Sequence, residues 1–136
     1  MERMRGQIGD FARAHVEIAA AMLFGSAATD TTHPESDIDI AVLVDGLPGE
    51  ADLMRLATTY TIALEDLLNK PVDIVMLNTA SPLLRYQIFK KGKLIFARDP
   101  MRVQRFIGDA IVEYLDEIVL IERLQRRSIR RLTGGR

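Results

Sequence analysis

The sequence predicts an α/β (α+β) fold: a small mixed β-sheet packed with helices and followed by a long C-terminal helix. Three observations carry this expectation. Short apolar runs with two-residue periodicity alternate with longer stretches whose apolar residues recur at three- and four-residue steps. The links between these segments differ in length, which suits a sheet of mixed strand direction. From Asp99 onward the helical periodicity continues almost to the end of the chain. At 136 residues the expectation is one domain over 1–136, with its core at about 15–99 and the final helix at about 100–132.

The elements follow in order. Ile8, Phe11, Ala12, His15, Ile18, Ala19 and Met22 recur at helical steps, so a first amphipathic helix is expected over 4–19. Ala20 to Phe24 is a short apolar run that stops at Gly25 and reads as a buried strand. The polar stretch from Thr29 to Ser36 contains Pro34 and reads as a loop. Asp37 to Val44 alternates, with Ile38, Ile40, Val42 and Val44 on one face, and Asp45-Gly46-Leu47-Pro48-Gly49 ends that strand. A helix over 50–69 is striped by Leu53, Leu56, Ala57, Tyr60, Leu64, Leu67 and Leu68, and a strand over Val72 to Leu77 follows. Ser81-Pro82 combines a cap with proline at the first helical position, and Gly92 is a stop. Lys93 to Ala97 forms a fourth strand, and Asp99-Pro100 opens the last helix, which runs to about Leu132.

Composition narrows the function classes. The chain is 48% hydrophobic and 27% charged, as expected of an ordered globular protein. A net charge of -1 gives no general attraction to nucleic acid or membranes. Cysteine is absent, which removes disulfides, thiolate zinc sites and cysteine nucleophiles together. No apolar stretch approaches the roughly 20 residues needed to span a bilayer, and no signal-peptide core follows Met1-Glu2-Arg3. The expected location is cytoplasmic.

One constellation carries the chemistry. Leu23-Phe24-Gly25-Ser26-Ala27-Ala28 places a glycine-serine turn after an apolar run; Ser36-Asp37-Ile38-Asp39-Ile40 sets two carboxylates one residue apart; Pro71-Val72-Asp73-Ile74-Val75 adds a third within another apolar run. On a strand Asp37 and Asp39 point the same way while Ile38 and Ile40 point into a core. Asp73, flanked by Val72 and Ile74, is expected to be buried, where an ionised carboxylate needs a partner. At about 4 Å and an effective dielectric near 20, each pair of acids repels by roughly 4 kcal/mol before screening. Solvation, protonation or a cation can relieve that, and magnesium is a hard ion held by a few carboxylates plus substrate phosphates. A metal-dependent phosphate site is the reading.

In these motifs the chain resembles the nucleotidyltransferase fold shared with DNA polymerase beta. That signature is Gly-Ser, about ten residues, Asp-x-Asp, then a third Asp on a later strand, and Gly25-Ser26, Asp37-Ile38-Asp39 and Asp73 match it. Over roughly residues 15 to 125 it looks most like the minimal nucleotidyltransferase branch, the MNT or MntA-like antitoxins. Pro82-Leu83-Leu84-Arg85-Tyr86, Gly92-Lys93-Leu94-Ile95-Phe96 and Arg98-Asp99-Pro100 resemble that branch's downstream segment. One departure stands out: the family often has Gly-Ser-x-Ala-Arg-Gly, whereas Thr29 and Asp30 occupy the last two positions here.

The resemblance implies that Gly25 and Ser26 bind phosphate and that Asp37, Asp39 and Asp73 are catalytic and ligate one or two Mg2+ ions, with Mn2+ as an alternative. It implies ATP as substrate and a HEPN-domain ribonuclease toxin as partner, silenced by AMP added to a tyrosine. Two alternatives remain open: a non-catalytic antitoxin that masks the toxin by stoichiometric binding, and a small-molecule transferase of the aminoglycoside-modifying kind. Direct nucleic-acid binding is not expected, because no aromatic residue interleaves with Arg123, Arg126, Arg127, Arg130, Arg131 and Arg136. His15 and His33 read as structural; Lys90, Lys91 and Lys93, near Arg85, read as surface lysines near a helix end, with contact to a triphosphate as the alternative.

Overall fold

Over the residues that the computed structural model describes, 2–25, 28 and 36–134, the elements run α1 (Glu2–Ala14), β1 (Ile18–Phe24), β2 (Ile38–Val44), α2 (Glu50–Leu68), β3 (Val72–Met76), α3 (Pro82–Lys91), β4 (Lys93–Ala97) and α4 (Pro100–Thr133). The strands form one sheet in the order β3-β2-β1-β4. β2 and β3 are parallel, whereas β1 pairs antiparallel with both β2 and β4. This is the mixed sheet expected from the uneven links.

Strand alternation decides what each sheet face buries. Ile38, Ile40 and Val42 of β2 join Ile8 and Ala12 of α1 and Leu53, Tyr60 and Leu64 of α2 in one apolar cluster. Ala41, one residue out of step, joins Met22, Leu77 and Ile88 in a second, against which Phe24, Leu43, Val75, Leu84 and Phe106 pack. Both faces are therefore covered, which explains why β1 is apolar throughout and has no polar side.

The caps expected around α3 are present. The Ser81 hydroxyl accepts from the Leu84 amide at 3.2 Å, Pro82 opens the helix, and Gly92 closes it with its N–H on the Ile88 carbonyl at 2.6 Å. α2 ends at Asn69, whose φ of 55° turns the chain out of the helix.

One expectation about the elements needs correction. The first helix stops at Ala14 rather than at residue 19, and β1 begins at Ile18 rather than Ala20. The spacing of His15, Ile18, Ala19 and Met22 fits either element, and long-range pairing settles it: Ile18 registers with Val44 across the sheet. α4 follows the expected course. Val103 and Ala110 are buried, but beyond Ile118 every described residue of this helix is exposed, including the apolar Ile121 and Leu124. Among the described residues, no helix is long and apolar enough to cross a membrane.

Candidate functional site

Backbone register brings the acids together. Phe24 of β1 pairs with Asp39 of β2, and Asp39 pairs with Asp73 of the parallel neighbour β3. Asp39 lies in step with Ala41, and Asp73 in step with Val75, so both project from the sheet face covered by α3 and the start of α4. Asp37 immediately precedes β2, and its charge acts on Asp39. Directly after Phe24 comes Gly25 with φ of +66°, a left-handed conformation that favours glycine. A Cβ on Gly25 would run into the Asp39 carboxylate. The turn and the carboxylate are thus in direct contact.

Asp39 is half-buried, while Asp37 and Asp73 are exposed. The exposure of Asp73 corrects the expectation that it would be buried: β3 is an edge strand, and this residue lies near its open end. Partial burial pushes the Asp39 carboxyl above its ordinary value, and the charges of Asp73 and then Asp37 push it further. That mutual repulsion is the electrostatic sign of three acids sharing one region. Among the described residues no three acidic, histidine or cysteine side chains close into a ready-made metal cage. The expected phosphate-binding Ser26 lies outside the described residues, as do Thr29, Asp30 and His33.

Phe24, Gly25, Leu84, Gln87, Ile88 and Lys91 line a cleft of about 340 Å³ beside the glycine turn, within the size range of small-ligand sites. Lys91 is exposed at the end of α3, as a surface lysine should be, and the fold sets it in the same cleft as Gly25, 66 residues earlier. No local pattern announces that, because the approach is made by the α3 end crossing the end of β1. Lys93 registers with Leu23, and Lys90 sits 5.7 Å from the centre of the Tyr86 ring. Arg85 is committed elsewhere: it donates to the Leu77 and Asn78 carbonyls, each at 2.9 Å, and lies over the Phe106 ring. A larger cavity of about 420 Å³, lined by Ala19, Val44, Asn78, Arg102 and Phe106 among others, opens at the other end of β2, away from the acids.

His15 behaves as a structural residue. Its ring stacks on Phe11 with centroids 4.1 Å apart and meets Tyr60 edge-on, and Nδ1 lies 2.8 Å from the Phe11 carbonyl.

A glycine turn against one of three strand-borne acids is the arrangement expected of a nucleotidyltransferase, and residues 6–101 match the model of the polymerase beta nucleotidyltransferase family. The chain belongs to that family. A curated relative, the protein adenylyltransferase MntA of Shewanella oneidensis, is 38% identical over 76 residues, covering 54% of this chain and 50% of the relative. The chain therefore spans about half the length of the curated relative it matches. Among solved structures, a toxin-antitoxin crystal structure with AMP-PNP superposes with a TM-score of 0.66 at 25% identity, covering 95% of this chain and 98% of the other. A tri-AMPylated Shewanella oneidensis HEPN toxin in complex with MNT antitoxin superposes with a TM-score of 0.68 at 23% identity over 94% and 98% of the two chains, a likeness of fold.

Proposed function

We propose that this protein is the antitoxin of a HEPN/MNT toxin-antitoxin pair and a metal-dependent protein adenylyltransferase, moving AMP from ATP to a tyrosine of its cognate HEPN ribonuclease toxin. The observation that carries the reading is the alignment of Gly25, Asp39 and Asp73 across three adjacent strands. Membership of the nucleotidyltransferase family supports the reaction type. The relative named a protein adenylyltransferase and the AMP-PNP-bound toxin-antitoxin structure support the nucleotide and the partner.

The donor set fits a hard divalent cation. It consists of carboxylate oxygens, and Asp39 is held under repulsion from Asp73 and Asp37 that a cation would relieve. Magnesium is commonly held by one or two carboxylates with water and substrate phosphates completing its shell, so an open arrangement of acids suits it. Asp37, Asp39 and Asp73 would hold Mg2+, or Mn2+ in its place, as one ion or two. When bound, such ions neutralise the charge developing on the transferred phosphoryl group and on the leaving pyrophosphate.

The remaining chemistry belongs to the chain. The Gly25 turn lets backbone approach the triphosphate closely, and Ser26 supplies the next amide and a hydroxyl. Lys91, in the same cleft, offers a positive charge to phosphate oxygens. Asp37 and Asp73 are exposed, so an acceptor tyrosine on another protein can approach them in line with the bond to be broken.

The departure from the family's usual Arg-Gly at Thr29 and Asp30 favours a masking antitoxin instead. Intact-mass spectrometry of a cognate HEPN toxin after incubation with the antitoxin, ATP and Mg2+ separates the readings. Addition of one or more adenylate units at substoichiometric antitoxin, lost in Asp37→Asn/Asp39→Asn, is the expected result. An unmodified toxin in a tight, mole-for-mole complex would establish masking.

A further inference from the structure

We propose that the distal half of α4 is a self-association surface, on which a second copy of this chain packs antiparallel about a two-fold axis near Glu122. The first observation is an uncovered apolar stripe. The helix face that buries Val103 and Ala110 against the domain continues outward as Ile118, Ile121, Leu124 and Leu132. Ile118 is half-buried, but beyond it no part of the described domain reaches the stripe: Leu124 is 51% exposed and Leu132 87%. A shallow apolar groove lined by Ile121, Leu124, Gln125, Ser128 and Ile129 runs along this face. From Ile111 to Leu132, about 33 Å of helix, the seven-residue repeat runs Ile111, Tyr114, Ile118, Ile121, Gln125, Ser128 and Leu132, apolar over two heptads and interrupted by two polar residues in the third.

The second observation identifies the occupant. Between Phe106 and Glu122 the helix carries Asp109, Glu113, Asp116, Glu117 and Glu122 and no basic residue. From Arg123 to Thr133 it carries Arg123, Arg126, Arg127, Arg130 and Arg131 and no acidic residue. The two blocks are equal and opposite, five charges each, and they meet at the centre of the uncovered stripe. A helix dipole accounts for cations in the last turn, since its influence fades within that turn; it does not account for a block that begins ten residues before Thr133. A helix with this pattern is complementary to itself in one orientation. Antiparallel, each acidic block lies beside the partner's arginines; parallel, acid faces acid and arginine faces arginine. A two-fold axis makes the contact isologous, so it closes at two copies.

The test uses the full chain, free of other proteins. Sedimentation equilibrium should give twice the 15.3 kDa monomer mass, with dissociation about tenfold or more easier in molar salt, because the flanking charges are exposed to screening. Ile121→Asp should return the monomer with unchanged helicity by circular dichroism. Glu113→Lys/Asp116→Lys/Glu117→Lys and Arg127→Glu/Arg130→Glu/Arg131→Glu should each dimerise weakly alone and form a heterodimer when mixed. Because the chain lacks cysteine, engineered thiols report orientation: Glu122→Cys should cross-link to itself and Leu132→Cys should not. A chain that stays monomeric alone overturns the proposal, whether the face is then covered by a helical partner protein or by anionic vesicles. Cross-linking of both cysteine variants would indicate a parallel pair and also overturn it.

Discussion

The Asp39 carboxylate fills the space into which a Cβ on Gly25 would project, so the glycine turn after β1 and the second acid of β2 are fitted to each other. Phe24 and Asp39 are register partners, which leaves the turn no room to move aside without breaking the β1–β2 ladder. Glycine is required here twice over, by the contact and by its positive φ.

Gly25→Ala is therefore expected to displace Asp39 and to strain the backbone by about 1–2 kcal/mol. Displacement of a reacting group by about 1 Å costs on the order of a hundredfold in rate. The measurement is AMP transfer per folded molecule beside a urea melt; an alanine variant with full activity would disprove the steric argument.

Removing one charge from the acidic row should uncouple stability from metal. Asp39→Asn relieves the repulsion with Asp37 and Asp73, so without divalent cation its Tm should match or exceed the parent's. With Mg2+ and a non-hydrolysable ATP analogue at a hundred times Kd, the parent should gain about 2.7 kcal/mol. The variant should gain much less. Thermal melts in chelator and in Mg2+ with analogue make the comparison, and equal gains in both proteins would remove Asp39 from the ligand set.

The pH dependence of stability has a second source, remote from the acids. The buried Tyr60 hydroxyl donates to Glu17 at 2.7 Å. For Glu17, partial burial works upward, but the Tyr60 hydrogen bond, its own backbone and the neighbouring His15 and Arg98 together outweigh it and leave the carboxyl below its ordinary 4.5. Its contribution is thus present above pH 4.5 and lost as pH falls through the lower folded value. Tyr60 shifts the other way: burial, then the Glu17 bond, hold its hydroxyl above the ordinary 10.0, so its contribution is lost as pH rises past 10. Tyr60→Phe should flatten both limbs, as read from urea midpoints across pH. Unchanged curvature would mean the bond has no net effect.

Arg98 closes the end of α1 from the far side of the sheet. Its guanidinium donates to the carbonyls of Ala12, Arg13, His15 and Ile18 at 3.0–3.3 Å and lies 5.0 Å from the centre of the Phe96 ring. Arg98→Ala should cost about 1–3 kcal/mol, and Arg98→Lys should restore little, because an ammonium cannot span four carbonyls in a plane. AMP transfer per folded molecule should stay at the parent level. A lysine variant as stable as the parent would contradict this.

Much of the site was legible because its parts are local patterns. Asp37 and Asp39 stand one residue apart where β2 begins, and the φ of Gly25 follows from a tight turn leaving an apolar strand. The closeness of Lys91 to Gly25, the carbonyl contacts of Arg98 and the Glu17–Tyr60 bond were not legible. Each acts across dozens of residues, and nothing in its own neighbourhood marks it. The boundary between α1 and β1 was misread for a related reason: Ile18 and Ala19 fit both periodicities, and Val44 of the partner strand breaks the tie.

By itself the sequence determined the element order, the mixed sheet, the α3 caps and the three acids with their glycine turn. These depend on periodicity and on the conformational limits of single residues, which act over a few positions. Only the tertiary structure decided that Asp39 and Asp73 are register partners, that Asp73 is exposed, and that the distal half of α4 is uncovered. Those outcomes depend on which strands become neighbours and on where the domain ends beneath a helix, and both follow from burying apolar surface across the whole chain.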